Sequence, residues 1–316
     1  MNKQDYKCIL IDERPYCFWG SDLANKNITF LKNIDCDFYY NIAKKIKLTF
    51  NDDYSSATLI RLLYGQALES LFSLLFGYIQ SPHFIIGWLN KYEIKDIRNC
   101  INKINNGQNL PNTFNYNFSS WDDISRQINK YFIEEKREQM IINFSKLWNR
   151  LSLEFIDANI LSEYNSIKHG NRIIPGGVSI SIGKEKEYGV SPPKDEMISL
   201  AESKFGSTYY LTEQVSNNNV NYLVHENTNN FIPEILLEKL CLISFSINNI
   251  ISASLIANNE SPDTLKFYTP IDNNVFEDAF QNESIILAWH EKCPYTKEYL
   301  KDNSINKMEI LKMYGK

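Results

Sequence analysis

The sequence predicts a mainly α-helical fold, a helical bundle with a small β-hairpin insert. Two long segments, 55–80 and 233–257, carry apolar residues around most of a helical circumference, which is typical of helices at the centre of a core. A third helical pattern, 137–169, is amphipathic and lies between them. Alternation of period two occurs within 171–230 and predicts strands there.

Composition limits the classes of function. The 316 residues are 43% hydrophobic, which is ample for one large domain or two. The net charge of −5 gives no general footprint for a polyanion, and we find no DNA-binding signature, so contact with RNA would be local. Cysteines occur without a CxxC pair, at Cys8, Cys17, Cys36, Cys100, Cys241 and Cys293. This pattern argues against a disulfide framework or a zinc site and favours a cytoplasmic protein with reduced thiols.

Targeting and membrane segments are not predicted. Residues 1–5 contain no apolar signal region. The most apolar stretch, 59–79, contains Arg61, Gln66 and Glu69, so we interpret it as a buried helix of a soluble protein and expect no contact with a membrane.

Residues 1–50 are predicted to form an N-terminal arm with short elements. The segments 9–11 and 28–30 predict short strands or an extended arm, and 38–47 predicts a helix.

Residues 51–257 are predicted to form the bundle. Cap-type residues before Ser55 begin the first long helix, and Pro82 ends it. A short apolar turn or helix is predicted at 84–89. Helices are predicted at 91–104 and 119–132, followed by the long helix 137–169.

The β insert is predicted at 171–230, and a C-terminal extension at 258–316. Within the insert, we expect a strand at 177–183, a helix at 195–205, and a hairpin formed by 207–215 and 220–226. The extension is expected to hold one or two short helices, at 274–280 and 295–313, with a strand as a further option at 285–289.

Common catalytic motifs are missing from the sequence. It contains no phosphate-binding glycine loop, no HExxH and no Gly-x-Ser-x-Gly. Four histidines, His83, His169, His225 and His290, lie too far apart for metal-ligand spacing, so we expect no metal and no cofactor. His83 follows Pro82 in a loop and is one candidate binding residue.

The segment 164–170 is the strongest candidate site. It combines Tyr164, Asn165, Lys168 and His169 immediately before Gly170. In a continuous helix, Ser162, Asn165 and His169 would continue the apolar stripe of Phe144, Leu147, Trp148, Leu151, Phe155 and Ala158. Polar groups on a core face need partners or a cavity, which favours a functional role. An ordinary C-cap, with His169 near the last carbonyls and Gly170 after it, is the alternative interpretation.

This segment resembles the signature of the HEPN superfamily, whose members have an all-α up-and-down bundle. Ribonuclease members carry Arg-polar-x-x-x-His near the end of a late helix, and Asn165 and His169 match the polar and histidine positions. The resemblance covers about 55–257 and implies metal-independent RNA cleavage, commonly at a site formed across a two-fold dimer. It implies that His169 is the acid or base and that Asn165 orients the phosphate or 2′-hydroxyl.

The sequence departs from this signature at Tyr164, which stands where the family has arginine. Tyrosine cannot supply a fixed positive charge to a phosphorane. Lys168, Arg172 just after the helix, or Arg61 on the first long helix could supply it instead. A polar stripe on the first long helix is either a thin solvent-facing strip or a lining that faces the motif helix, and it consists of Gln66, Glu69, Ser73, Gly77 and Gln80.

Three hypotheses follow. The first is a HEPN-like bacterial protein that engages RNA or a nucleotide, with or without ribonuclease activity, in defence or as a toxin. The second is a catalytically silent adaptor or sensor that binds a protein partner through the β insert and the aromatic N-terminus. The expected protein contact is either a homodimer or a different partner. The third is a small-molecule enzyme that uses Glu69 with His83 or His169.

Overall fold

The computed structural model describes residues 6–49, 53–170, 172–215, 220–281, 288–291 and 294–315. Their contacts group into two compact units. Unit 1 draws its described residues from the ranges 1–51, 59–157 and 234–281, and unit 2 from 52–58, 158–233 and 282–316. The predicted domain boundaries, which follow sequence pattern rather than contacts, stay predictions.

The described part of the chain is mainly helical, as predicted. Its α-helices and β-strands follow one another as β1 (Tyr6–Ile11), β2 (Arg14–Trp19), α1 (Leu23–Lys32), α2 (Phe38–Leu48), α3 (Tyr54–Gln80), α4 (Ile85–Leu89), α5 (Ile94–Asn105), α6 (Trp121–Asn129), α7 (Glu134–Ile156), α8 (Ala158–Lys168), β3 (Ile174–Pro175), β4 (Ser179–Ile182), β5 (Ile198–Glu202), β6 (Gly206–Gln214), β7 (Tyr222–Asn230), α9 (Pro233–Ala257), α10 (Val275–Gln281), β8 (Ala288–Glu291), α11 (Lys297–Asp302) and α12 (Lys307–Met313).

Unit 1 begins with an antiparallel hairpin of β1 and β2, which confirms the strand predicted at 9–11. Ile11 pairs with Arg14, so a two-residue turn joins the strands. The helix predicted at 38–47 is confirmed as α2. The strand predicted at 28–30 is wrong, because this segment lies in α1, where Asn27 and Leu31 are buried one helical turn apart.

The core of unit 1 contains the apolar faces of its long helices. Most of α3 and α9 is buried, and the predicted stripe of α7 is confirmed at Phe144, Leu147, Trp148, Leu151 and Phe155. Local signals begin the shorter helices. The Ser120 hydroxyl accepts a hydrogen bond from the Asp123 amide at 3.1 Å, and Glu93 with Asp96 forms a capping box.

One predicted helix, 137–169, is two helices in the structure. Asp157 has an extended backbone, with φ −61° and ψ 126°, and separates α7 from α8. Aspartate favours the position before a helix, because its carboxylate can accept hydrogen bonds from the first backbone amides. Because the apolar periodicity of the sequence continues through this position, it did not predict that one helix ends and another begins here.

Unit 2 contains a four-stranded sheet in the order β3-β6-β7-β8 and a separate pair, β4 and β5. The hairpin predicted in the insert is confirmed as β6 and β7, while its turn residues 216–219 lie outside the described residues. The helix predicted at 195–205 is wrong. It is a short 3₁₀ turn followed by β5, whose pairing with β4 provides backbone hydrogen-bond partners.

The C-terminal predictions agree in part with the described elements. Helix 274–280 is confirmed as α10, whereas the single helix predicted at 295–313 is two short helices, α11 and α12, in the structure. The strand predicted at 285–289 overlaps β8, but residues 282–287 lie outside the described residues.

Two helices, α3 and α9, are long and apolar enough to cross a membrane by length and composition. Their most apolar windows have mean hydropathies of 1.3 and 1.8, and 61% and 72% of these windows are buried inside the protein. The core helix of a soluble protein passes the same test, so these helices are weak support for a membrane span. The cytoplasmic location stays a prediction.

Candidate functional site

The predicted motif lies at the end of α8 in unit 2, and α8 presents three different faces. Glu163 and Ile167, one turn apart, are buried. Lys168 is exposed, and its ammonium lies 5.1 Å from the centroid of the Tyr164 ring. The third face carries Ser162, Asn165 and Ser166, and this face forms one side of a surface pocket.

The pocket has a volume of about 470 Å³ and is shared between α8, the segment after it, and β6. Its described lining consists of Ser162, Asn165, Ser166, Arg172, Tyr210 and Leu211. Within this lining, Arg172 supplies a permanent positive charge, and the amide and hydroxyl groups supply neutral donors and acceptors.

The end of α8 directs Arg172 back toward the helix. His169 makes the last helical bond, from its amide to the Asn165 carbonyl at 3.0 Å. Gly170 then adopts φ 116°, a conformation that favours glycine, and the Arg172 amide donates to the Ser166 carbonyl at 2.8 Å. Arg172 therefore reaches the same pocket as Asn165 although it lies outside the helix.

His169 does not occupy the position that the periodicity predicted. It follows the last residue of α8, it is exposed, and it is not among the described residues that line the pocket. The prediction that Ser162, Asn165 and His169 continue the core stripe of α7 is wrong, because α7 ends before Asp157, whose extended backbone interrupts the helical periodicity. The buried face is instead that of Glu163 and Ile167.

A buried polar layer lies on the inner face of α8, and it was not predicted. The Asn229 side-chain amide donates to Glu163 Oε2 at 3.1 Å and to the Tyr209 hydroxyl at 3.2 Å. The Tyr209 hydroxyl in turn donates to the Asn159 carbonyl at 2.9 Å. These bonds join α8 to β6 and β7 and fix the direction in which the pocket face points.

The sequence signal at the end of β7, which contributes Asn229 to this layer, was misleading. Residues 227–230 read Asn-Thr-Asn-Asn, which is the composition of a turn, so the predicted strand ended at residue 226. In the structure β7 continues through Asn230, and all four side chains are buried. Asn227 also lies opposite His290 of β8, with 2.7 Å between Asn227 Oδ1 and His290 Nδ1.

The other predicted site residues belong to unit 1. Glu69 accepts a hydrogen bond from the Tyr92 hydroxyl at 3.1 Å, and the Arg61 guanidinium lies 5.8 Å from the Tyr64 ring centroid. Gln66 is half-buried on α3, and His83 is exposed in the turn after α3.

The polar stripe of α3 is not a solvent-facing strip along its whole length. Ser73, Gly77 and Gln80 are buried within unit 1. Gln80 Oε1 accepts hydrogen bonds from the Trp88 indole at 3.0 Å and from the Asp12 amide at 2.9 Å, which is a structural role.

Within the described part of the chain, no group of three or more His, Cys, Asp or Glu side chains is placed to hold a metal ion. The expectation that the protein needs no metal and no cofactor stays a prediction.

Comparisons with protein-family models, with curated proteins and with solved structures found no match. The resemblance to the HEPN superfamily therefore depends on the motif and on the mainly helical fold, and it stays a prediction.

Proposed function

We propose that this chain is a HEPN-like protein that binds RNA or a nucleotide through a phosphate group in the α8 pocket. The observation that carries the proposal is the convergence of Arg172 and Asn165 on one pocket. A guanidinium forms charge-assisted, two-pronged hydrogen bonds to phosphate, and an amide can hold a third oxygen or a sugar hydroxyl.

Two further features support a phosphate ligand. Ser162 and Ser166 add hydroxyl donors to the same face of α8. Tyr210 lies on the opposite side of the pocket with 52% of its surface exposed, and an exposed aromatic ring is a platform on which a base can stack. The net charge of −5 agrees with a local contact rather than an extended basic surface.

Binding is better supported than cleavage. Tyr164, at the position of the signature arginine, faces Lys168, and Arg172 supplies the charge from outside the helix. His169 is exposed beside the pocket rather than in its described lining. For cleavage, the His169 ring would have to turn toward a phosphate held by Arg172 and Asn165. A role in defence or as a toxin is part of the same proposal.

The test compares binding of a fluorescent single-stranded RNA and of a nucleotide by four variants. We expect Arg172→Gln and Asn165→Ala to weaken binding, with about a tenfold loss for Arg172→Gln, because a hydrogen bond to a charged group is lost. Lys168→Gln is the matched control, since it removes one positive charge from another face of α8 and should change binding less than twofold. His169→Ala completes the set in an RNA-cleavage assay.

Equal losses for Arg172→Gln and Lys168→Gln would show general electrostatic attraction and contradict the pocket. If the parent cuts RNA and His169→Ala does not, the protein is a ribonuclease of this site. If the parent cuts and both His169→Ala and Asn165→Ala cut equally well, the catalytic assignment is wrong.

The second candidate function is a silent adaptor that binds a protein partner. It is favoured by the exposed apolar side chains on β4 and β5, where Ile182, Ile198 and Leu200 are 58%, 71% and 58% exposed. Absence of RNA and nucleotide binding by the parent chain in the same assay would favour this adaptor.

A further inference from the structure

The outward face of the β1–β2 hairpin carries two opposed cysteines. Cys8 on β1 and Cys17 on β2 are register partners, and both have exposed, free thiols. Their neighbours Ile9 and Ile11 point the other way and are buried. Alternation along each strand therefore places both sulfur atoms on the same accessible side of the hairpin.

The register places the two cysteines in the closer kind of strand pair. In a two-residue hairpin the pair next to the turn, here Ile11 and Arg14, exchanges backbone hydrogen bonds, and the pairs then alternate along the ladder. The next pair contains Pro15, which has no N–H to donate, so it is a non-hydrogen-bonded pair. One hydrogen-bonded pair follows, and after it Cys8 with Cys17 is the second non-hydrogen-bonded pair. Such pairs have Cα atoms about 4.5 Å apart. Disulfides span Cα separations of roughly 4.4–6.8 Å.

Contacts at the turn hold this register in place. The Asp12 amide donates to Gln80 of α3 at 2.9 Å, and Lys103 of α5 contacts the Asp12 carboxylate at 2.5 Å. Arg14 pairs with Asp96 of α5 at 2.6 Å. A one-residue slip would break these contacts and expose the buried face of the hairpin, so Cys8 and Cys17 stay opposite each other.

The surroundings of the thiols admit a small reagent. Cys8 and Cys17 line a shallow surface depression of about 350 Å³ together with Ile9, Leu10, Pro15, Tyr16 and Thr113. A hydrogen bond with the Cys8 thiol raises the pKa of the Cys17 thiol above its ordinary value of 9.0, which agrees with contact between the two sulfur groups.

We propose that Cys8 and Cys17 form a reversible dithiol–disulfide site that reacts with low-molecular-weight disulfides. This site belongs to unit 1 and is separate from the α8 pocket. The other described cysteines are less accessible, since Cys36 and Cys241 are half-buried and Cys100 is buried.

The reaction proceeds by two exchanges and needs no other oxidant. One protein thiolate attacks a sulfur of the small disulfide, whose S–S bond breaks and releases one small thiol. The second protein thiolate then attacks the protein sulfur of this mixed disulfide and releases the other small thiol. The Cys8 and Cys17 thiols are oxidised to one S–S bond, the reagent is reduced, and their two protons leave with the two small thiols.

Peptide mapping of the intact chain tests the proposal directly. The protein is equilibrated with glutathione and glutathione disulfide at several ratios, its free thiols are alkylated in acid-quenched samples, and it is digested. Trypsin releases Cys8–Lys26, because Arg14 precedes proline, and a Glu-specific protease then cuts after Glu13. We expect the two halves to stay linked, with a mass two hydrogens below their sum, until a reductant separates them.

Single variants provide the controls. In Cys8→Ser and Cys17→Ser the first exchange has no resolving thiol, so each should keep a glutathione on its remaining hairpin cysteine. The parent should carry about tenfold less adduct there, because ring closure is intramolecular. Cys36→Ser should link its hairpin cysteines as the parent does. Two results would overturn the proposal. In one, glutathione is retained on both Cys8 and Cys17; in the other, both thiols are alkylated at every ratio of glutathione to its disulfide.

Discussion

Tyr209 connects α8 to the sheet of unit 2 through its hydroxyl group. Its side chain is fully buried in unit 2, where the hydroxyl accepts a hydrogen bond from Asn229 and donates one to the Asn159 carbonyl. A buried polar group that loses its partner retains the cost of desolvation without compensation. The pocket face of α8 is therefore positioned by a layer of polar groups that themselves do not line the pocket.

We expect Tyr209→Phe to lower the free energy of unfolding by about 1–2 kcal/mol, because the Asn229 amide and the Asn159 carbonyl each lose one hydrogen bond. Urea denaturation measures this loss. Tyr222→Phe on β7 is the matched control, since that side chain is 54% exposed, and it should change stability by less than about 0.5 kcal/mol. Equal effects of the two variants would show that the buried layer contributes nothing specific.

At the scale of elements, a buried ion pair joins two long helices of unit 1. Lys239 of α9 contacts Glu154 of α7 at 2.7 Å, and their side chains are only 4% and 16% exposed. The Tyr64 hydroxyl of α3 donates to the other carboxylate oxygen at 2.5 Å. The Lys239 ammonium also lies 4.5 Å from the Phe280 ring centroid on α10. Four helices therefore meet at one charged group.

We expect Glu154→Gln to cost roughly 3 kcal/mol of unfolding free energy, because it removes the carboxylate charge that lies 2.7 Å from the buried Lys239 ammonium. The control is Glu277→Gln, which removes the partner of Arg150 in an exposed pair between α7 and α10 at 2.7 Å. That change should cost less than about 1 kcal/mol. Urea midpoints and slopes measure both, and similar losses would contradict the difference in burial.

The whole molecule should lose stability in alkali. Burial raises the pKa of the Cys36 thiol from 9.0 to about 11, and burial also raises the pKa of the Cys100 thiol and of the Tyr78 and Tyr92 hydroxyls. In the unfolded chain these groups ionise near their ordinary values, whereas the folded chain keeps their protons. Above about pH 9 the folded state therefore binds more protons, and stability falls as pH rises.

Urea midpoints under reducing conditions at pH 7.5, 9 and 10.5 measure this decline. We expect the midpoint to fall between pH 9 and 10.5. Cys36→Ala should show a smaller fall across the same window, because the variant lacks the Cys36 thiol, whose raised pKa makes stability fall between pH 9 and about 11. A parent midpoint that stays constant, or a variant that falls as steeply as the parent, would contradict these assignments. The reductant keeps the hairpin cysteines from reacting during the measurement.

Local pattern was enough to predict much of the helical content. The segments at 55–80 and 233–257 became α3 and α9 within one residue, because a helix repeats its buried face every three or four residues. The same local reasoning was wrong at 137–169, where Asp157 interrupts a periodicity that otherwise continues. It was also wrong at 195–205, where pairing with β4 overrides helical propensity.

The residue types of the candidate site were visible along the chain, and Asn165 and Arg172 were both predicted as site residues. Their convergence on one pocket, and the separation of His169 from its described lining, depend on the turn at Gly170 and on the position of α8 beside β6. The opposition of Cys8 and Cys17 likewise follows from a hairpin register, and six scattered cysteines gave no hint of it. Periodicity records which neighbours along the chain share a face. Contacts between distant residues are decided by how those faces pack, which single-sequence spacing does not encode.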